Sequence, residues 1–220
     1  MLIMKNFSMR SARSFLSIAV FLATAPIGSA ATYTLTTKGT EGGFDGWCSA
    51  FWGGKTSDFG PDSKGEILNA GNLRPTAFDR SAAILMFDLS AIKDLNPADI
   101  VSAELSYFVV EAHGSPKLTI THGTKTEPRL IRGKDNAQSA NTAIWISIGT
   151  ATARREQVGT IDVTNSLVAD LSEGNFYSSY RIVQEETFEK KRSVFPYGSR
   201  IASSENATGY PVPTLTIMTR

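Results

Sequence analysis

Beyond about residue 30, apolar and polar positions alternate with a period of two in short runs rich in β-branched and aromatic residues, separated by clusters of Gly, Pro, Asn, Asp and Ser. Tyr33 to Thr37 is the first such run. Ser102 to Glu111 sets Leu105, Tyr107 and Val109 on one side and Phe108 and Val110 on the other, the pattern of a central strand. Ala82 to Leu89 is nearly continuous and apolar, broken only by Asp88, and predicts a strand buried on both faces or leaving the core at its end. Leu118 to Thr121, Ile144 to Ile148, Val158 to Val163, Tyr180 to Gln184, Ser193 to Phe195 and Leu215 to Met218 complete the set. A single helix is predicted over Asn165 to Leu171, with Thr164 to cap its first turn and Gly174 to end it. Short strands at this spacing predict an all-β fold, an antiparallel jelly-roll-like β-sandwich with one short helix and no internal repeat.

Two stretches depart from that pattern. Gly39 to Gly71 holds Phe44, Trp47, Phe51, Trp52 and Phe59 without a clean period, and reads as a long ordered loop. Loops of that length are functional or conceal short strands, of which Glu66 to Asn69 is one candidate. The other stretch is the N-terminus, where Lys5, Arg10 and Arg13 stand without an acidic residue. They precede an apolar segment from Phe15 to Ala25, then Pro26, Gly28, Ser29 and Ala30. That basic, apolar, small-residue order is a secretory signal, with an apolar part too short for a permanent membrane anchor. Cleavage is expected after Ala30, leaving residues 31–220 as one secreted or periplasmic domain.

Removing residues 1–30 takes away three positive charges and moves the formal net charge from +1 to −2. Such a balance gives no footprint for nucleic acid, and no membrane insertion is expected after cleavage. A domain of this length buries roughly 70% of its unfolded surface without crosslinks. That suffices here, because Cys48 is the only cysteine and no intramolecular disulfide can form. Catalysis by Cys48 would require a histidine base in a family signature that the sequence lacks.

Several segments, in order, resemble one family. Arg80 to Ser90 reads R-S-A-A-I-L-M-F-D-L-S, and Ile100 to Tyr107 reads I-V-S-A-E-L-S-Y. Gly159 to Gly174 reads G-T-I-D-V-T-N-S-L-V-A-D-L-S-E-G, and the chain closes with Ser203-Ser204-Glu205 and Pro213-Thr214-Leu215-Thr216-Ile217. This succession resembles the DNRLRE-type domains, which include the family 96 carbohydrate-binding modules described as alginate binders. The resemblance covers roughly residues 60–217 and implies a jelly-roll-like sandwich that binds a polysaccharide. The chain departs from the family in the Gly- and Trp-rich segment before Phe59 and at Met86, where the family more often has a polar or positively charged residue. No ligand residue is therefore carried over.

Glycan binding requires aromatic platforms for the apolar faces of sugar rings and polar donors for hydroxyls. The candidates are Trp47, Trp52, Trp145 and Tyr180. Arg154, Arg155, Lys190, Lys191 and Arg192 would meet the carboxylates of an acidic polysaccharide. Asp88, Asp162 and Glu205, beside predicted strand ends, suit a structural calcium ion, which takes six to eight oxygen ligands. Asp88 and Asp162 equally suit turns held by backbone N–H groups. The enzymatic alternative is a polysaccharide lyase, with His113 and His122 flanking the Gly114-Ser115-Pro116 turn and facing each other near Tyr107 or Arg181. The chain has no G-x-S-x-G, H-E-x-x-H or metal-cysteine spacing. A third class is a non-catalytic surface or matrix protein, for which a large exposed aromatic patch would be the mark.

Overall fold

The computed structural model describes residues 30–37, 44–50, 56–57, 67–72, 80–114, 116–123, 145–184 and 197–220. The signal-like segment lies outside them except for Ala30. The described residues form twelve strands, all paired antiparallel, and one α-helix. They are β1 (Thr32–Thr36), β2 (Phe44–Ala50), β3 (Thr56–Ser57), β4 (Ile67–Asn72), β5 (Arg80–Asp88) and β6 (Ile100–His113). β7 (Lys117–Gly123), β8 (Trp145–Thr152) and β9 (Gln157–Asp162) precede α1 (Thr164–Ser172), and β10 (Tyr177–Gln184), β11 (Tyr197–Ala202) and β12 (Thr214–Thr219) follow it. The all-β, antiparallel expectation with one short helix holds. Among the described residues no helix is long and apolar enough to cross a membrane.

The main path of the sheet runs β1-β12-β6-β11-β4-β5-β10-β7-β8. β9 adds to the other edge of β6, β2 adds to β5, and β3 to β2. Leu215 and Ile217 of β12 meet Leu118 and Ile120 of β7 in one buried cluster, although these strands lie near opposite ends of the path. The sheet must therefore curl around a single core. Burying that apolar surface is the main favourable contribution to folding.

β5 shows the expected burial on both sides. Ala83, Leu85 and Phe87 enter the main core, while Ala82, Ile84 and Met86 join Val183 and Trp145 in a second cluster on the opposite face. The same both-sided burial explains why β2 is invisible in the alternation. Its neighbouring residues Asp45 and Gly46 pair with Leu85 and Ile84, and both are buried although they sit on opposite faces. The stretch read as one loop, Gly39 to Gly71, thus contains β2, β3 and the start of β4, with Trp47 in strand register opposite Ala83. The predicted strand Ser193 to Phe195 lies outside the described residues; β11 begins just after it.

The helix starts one residue earlier than predicted. Thr164 is the first helical residue and not the cap; the N-cap is Val163, without a side-chain cap bond, and one residue before it Asp162 Oδ1 accepts the Thr164 N–H at 2.8 Å and the Thr164 hydroxyl at 2.5 Å. Gly174, at φ 70°, ends the helix as expected, its N–H donating to the Leu171 carbonyl.

Candidate functional site

β6, the longest of the described strands, keeps an outer face that is mostly half-buried and is exposed at Val101 and Glu104. Its fourteen residues extend about 45 Å at the usual strand rise. Ala103, Leu105, Tyr107 and Val109 point into the core, so Ser102, Glu104, Ser106 and Phe108 point outward. Val101 and Val110 fall at the two register shifts, against β12 and β11. After the second shift Glu111 returns to the outer face, opposite Arg200 of β11.

Strand register then lays out rows across four strands. Thr36, Thr214, Ser106 and Thr160 form one row, and Thr34, Thr216, Glu104 and Asp162 the next. Neighbours in a row are set by the strand spacing of about 4.8 Å. Phe108 lies opposite Val158, which is 55% exposed. Tyr210 stacks on Phe108 with ring centroids 5.0 Å apart and planes 20° from parallel. The tyrosine is fixed by its turn: Asn206 Oδ1 accepts the Tyr210 N–H at 2.8 Å, while Asn206 Nδ2 donates to the Tyr210 carbonyl at 3.2 Å. Further along the face, Glu111 accepts from Arg200 Nη1 at 3.2 Å and lies 3.3 Å from His113 Nε2. All three side chains are about one-third to two-fifths exposed.

Beside this face, a groove of about 470 Å³ runs between β8 and the start of α1, lined by Ile148, Thr150, Ile161, Asp162, Asn165 and Ser166 among others. Asp162 borders both, its carboxyl held below the ordinary carboxylate range by the Thr164 hydroxyl and amide.

The residues picked from sequence are placed elsewhere. Trp145 is 7% exposed, its ring in the second cluster with the Arg181 guanidinium carbon 5.0 Å from the ring centroid. Tyr180 is fully buried, edge-on to Phe87, and burial drives its hydroxyl pKa upward. Neither ring offers a face to a sugar. Packing decided against them: Trp145, the first residue of β8, turns into the second cluster, and Tyr180 alternates with Ile182 toward the main core. Arg154 and Arg155 are exposed on the β8–β9 turn, where Arg155 pairs with Glu156 at 3.2 Å. Trp52, Lys190, Lys191 and Arg192 lie outside the described residues, as do the side chains of Trp47 and Cys48.

Asp88, Asp162 and Glu205 do not share a task. Asp88 Oδ1 accepts the Ser90 N–H at 2.7 Å and closes the turn after β5, Asp162 Oδ1 accepts the Thr164 N–H just before α1, and Glu205 is an exposed residue just after β11. Among the described residues no three His, Cys, Asp or Glu side chains gather as metal ligands.

The two histidines also part company. β6 pairs with β9, β11 and β12, whereas β7 pairs with β8 and β10, so the Gly114 turn passes between different parts of the sheet instead of closing a hairpin. His113 is on the outer face, while His122 is buried against Asp170 at 2.9 Å. Tyr107 and Arg181 are buried too, and burial pushes the Tyr107 hydroxyl up to about 12.

Sequence reasoning missed Glu111, Arg200 and Tyr210 as one group. The alternation of β6 already turned Phe108 away from the core, but Tyr210 and Arg200 arrive from about a hundred residues downstream. No family model matches the chain, and comparison with curated proteins gives no match either.

Proposed function

We propose that this chain is an exported, non-catalytic carbohydrate-binding protein whose ligand lies along the outer face of β6. The observation that carries the reading is the combination on one half-buried outer strip of the Phe108–Tyr210 stack, a row of four hydroxyl side chains and the Glu111–Arg200–His113 group. An aromatic surface takes the apolar side of a pyranose ring, and hydroxyl, carboxylate and guanidinium groups exchange hydrogen bonds with its hydroxyls. The signal-like N-terminus and the resemblance to the DNRLRE-type domains, with their jelly-roll-like sandwich, support the same reading.

Affinity electrophoresis through gels containing single polysaccharides tests it. Retardation by at least one glycan, lost in Phe108→Ala and Tyr210→Ala variants that keep their unfolding midpoints within a few degrees, is the expected result. Migration unchanged by every glycan would refute it. Release of soluble oligosaccharides from a retained polymer would move the function to an enzyme, with His113 and Glu111 as the first groups to replace.

A further inference from the structure

We infer that the ligand of this face is a polysaccharide bearing protonated amino groups, and that Glu104 recognises it. The inference rests on the glycan-binding reading and narrows its chemistry. The four strands that build the face, β1, β12, β6 and β9, contain no lysine or arginine at all. They carry Glu104, Glu111 and Asp162 on the outside, against which β11 brings Arg200. That guanidinium is already engaged by Glu111, and Asp162 is engaged by the Thr164 amide and hydroxyl.

Glu104 differs from both. It is exposed in the middle of β6, directly across from Asp162 on one side and Thr216 on the other, and no cation pairs with it among the described residues. A uronate polymer laid along this face would bring its carboxylates beside like charges, and like charges placed opposite one another across a sheet are unfavourable. An amino-sugar polymer reverses the sign. Its ammonium groups would pair with Glu104 in charge-assisted hydrogen bonds while Thr216, Thr214, Ser106 and Thr160 meet its hydroxyls.

The test compares oligomers of one sugar backbone in two charge states, glucosamine and N-acetylglucosamine oligomers of equal length, with alginate oligomers as the polyanion. Binding is measured by calorimetry at pH 6 and two salt concentrations, on the wild type and on Glu104→Gln, Glu104→Lys and Glu156→Gln. Glu156 sits in the turn before β9, at the opposite end of that strand from Asp162, and its replacement removes the same charge away from the proposed contact. Expected are at least tenfold tighter binding of the amino oligomer than of its acetylated counterpart, no detectable alginate binding, and a severalfold loss of that preference in Glu104→Gln but not in Glu156→Gln. Glu104→Lys should abolish amino-oligomer binding. Alginate binding as tight as the amino oligomer, or a preference equally reduced by Glu156→Gln, overturns the inference while leaving glycan binding in place. Failure of all three oligomers, and of the wider glycan gels, overturns the glycan reading and this inference with it.

Discussion

Two carboxylates sit equally deep in this protein and are served very differently. Asp170 of α1 and Asp45 of β2 are 1% and 2% exposed. Both oxygens of Asp170 have donors: Asn175 Nδ2 reaches Oδ1 at 3.0 Å, while His122 Nε2 and the Ser178 hydroxyl reach Oδ2 at 2.9 and 2.7 Å. Ser178 Oγ also lies 2.8 Å from the Tyr180 hydroxyl. Since the serine gives its one proton to Asp170, the tyrosine is the donor of that second bond. The network ties α1 to β7 and β10. Asp45 instead receives both of its donors, the Thr37 hydroxyl at 2.5 Å and the Ser204 N–H at 2.8 Å, on Oδ2 alone. Its Oδ1 is buried with no hydrogen-bond partner among the described residues. Burial, aided by the nearby Glu205 carboxylate and opposed by those two donors, pushes the Asp45 pKa from 3.8 up to about 7. Asp45 thus combines deep burial with one bare oxygen, and the cost of burial outweighs its two donors.

The largest expected effect comes from breaking the saturated site. Asp170→Ala strands the buried His122 Nε2 donor, which costs about 1–3 kcal/mol, and removes the bonds from Ser178 and the half-buried Asn175, each worth about 1 kcal/mol. Urea unfolding at neutral pH should show a loss on the order of 4 kcal/mol or more. A loss below about 1 kcal/mol would mean that the network contributes nothing beyond its packing.

Next in size is the pH dependence at the unsaturated site. The folded state binds a proton at Asp45 more tightly than the unfolded state, so this group's contribution is fully present below about pH 4 and declines as pH rises to about 7. Integrated over that interval the decline is on the order of 3–4 kcal/mol. Asp45→Asn keeps an oxygen for Thr37 and Ser204 and cannot titrate. The difference between wild-type and Asp45→Asn stabilities, measured by urea unfolding from pH 4 to 8, should therefore fall steadily, with the variant equal or superior at pH 8. A difference independent of pH would show that Asp45 does not titrate in this range.

The same contrast explains what was legible beforehand. β5, β6 and the helix could be read because period and punctuation are local: the apolar run at Ala82 to Phe87, the alternation through Leu105, Tyr107 and Val109, and the glycine at position 174. β2 could not, because a strand covered on both faces loses its alternation and glycine supplies no side chain to continue it. β11 was hidden for a related reason, since Gly198 and Ser199 are buried without being apolar. Site residues were harder still. Trp145 and Tyr180 have the right chemistry for a sugar platform but face inward, whereas the half-buried outer stack joins Phe108 to Tyr210 and depends on the Asn206 turn. Composition shows which side chains are present; only the strand register shows which of them meet.

The smallest expected effect sharpens the comparison from outside the core. Asp162 is exposed, yet Oδ1 takes two donors from Thr164, and those bonds hold its pKa low where burial raises that of Asp45. A lowered pKa reverses the direction of the linkage. Its contribution is present above the unfolded-state value and disappears as pH falls through the folded one. Asp162→Ala removes both bonds to Thr164 at the start of the helix and should cost about 1 kcal/mol at pH 7, with the penalty fading in acid. Asp162→Asn, which retains an accepting oxygen, should recover most of it and lose the pH dependence. The stability difference between wild type and Asp162→Asn would then grow with rising pH at the acid end of the range, opposite in slope to the Asp45→Asn difference. Parallel slopes for the two pairs would mean that donor geometry does not set the direction in which these carboxylates titrate.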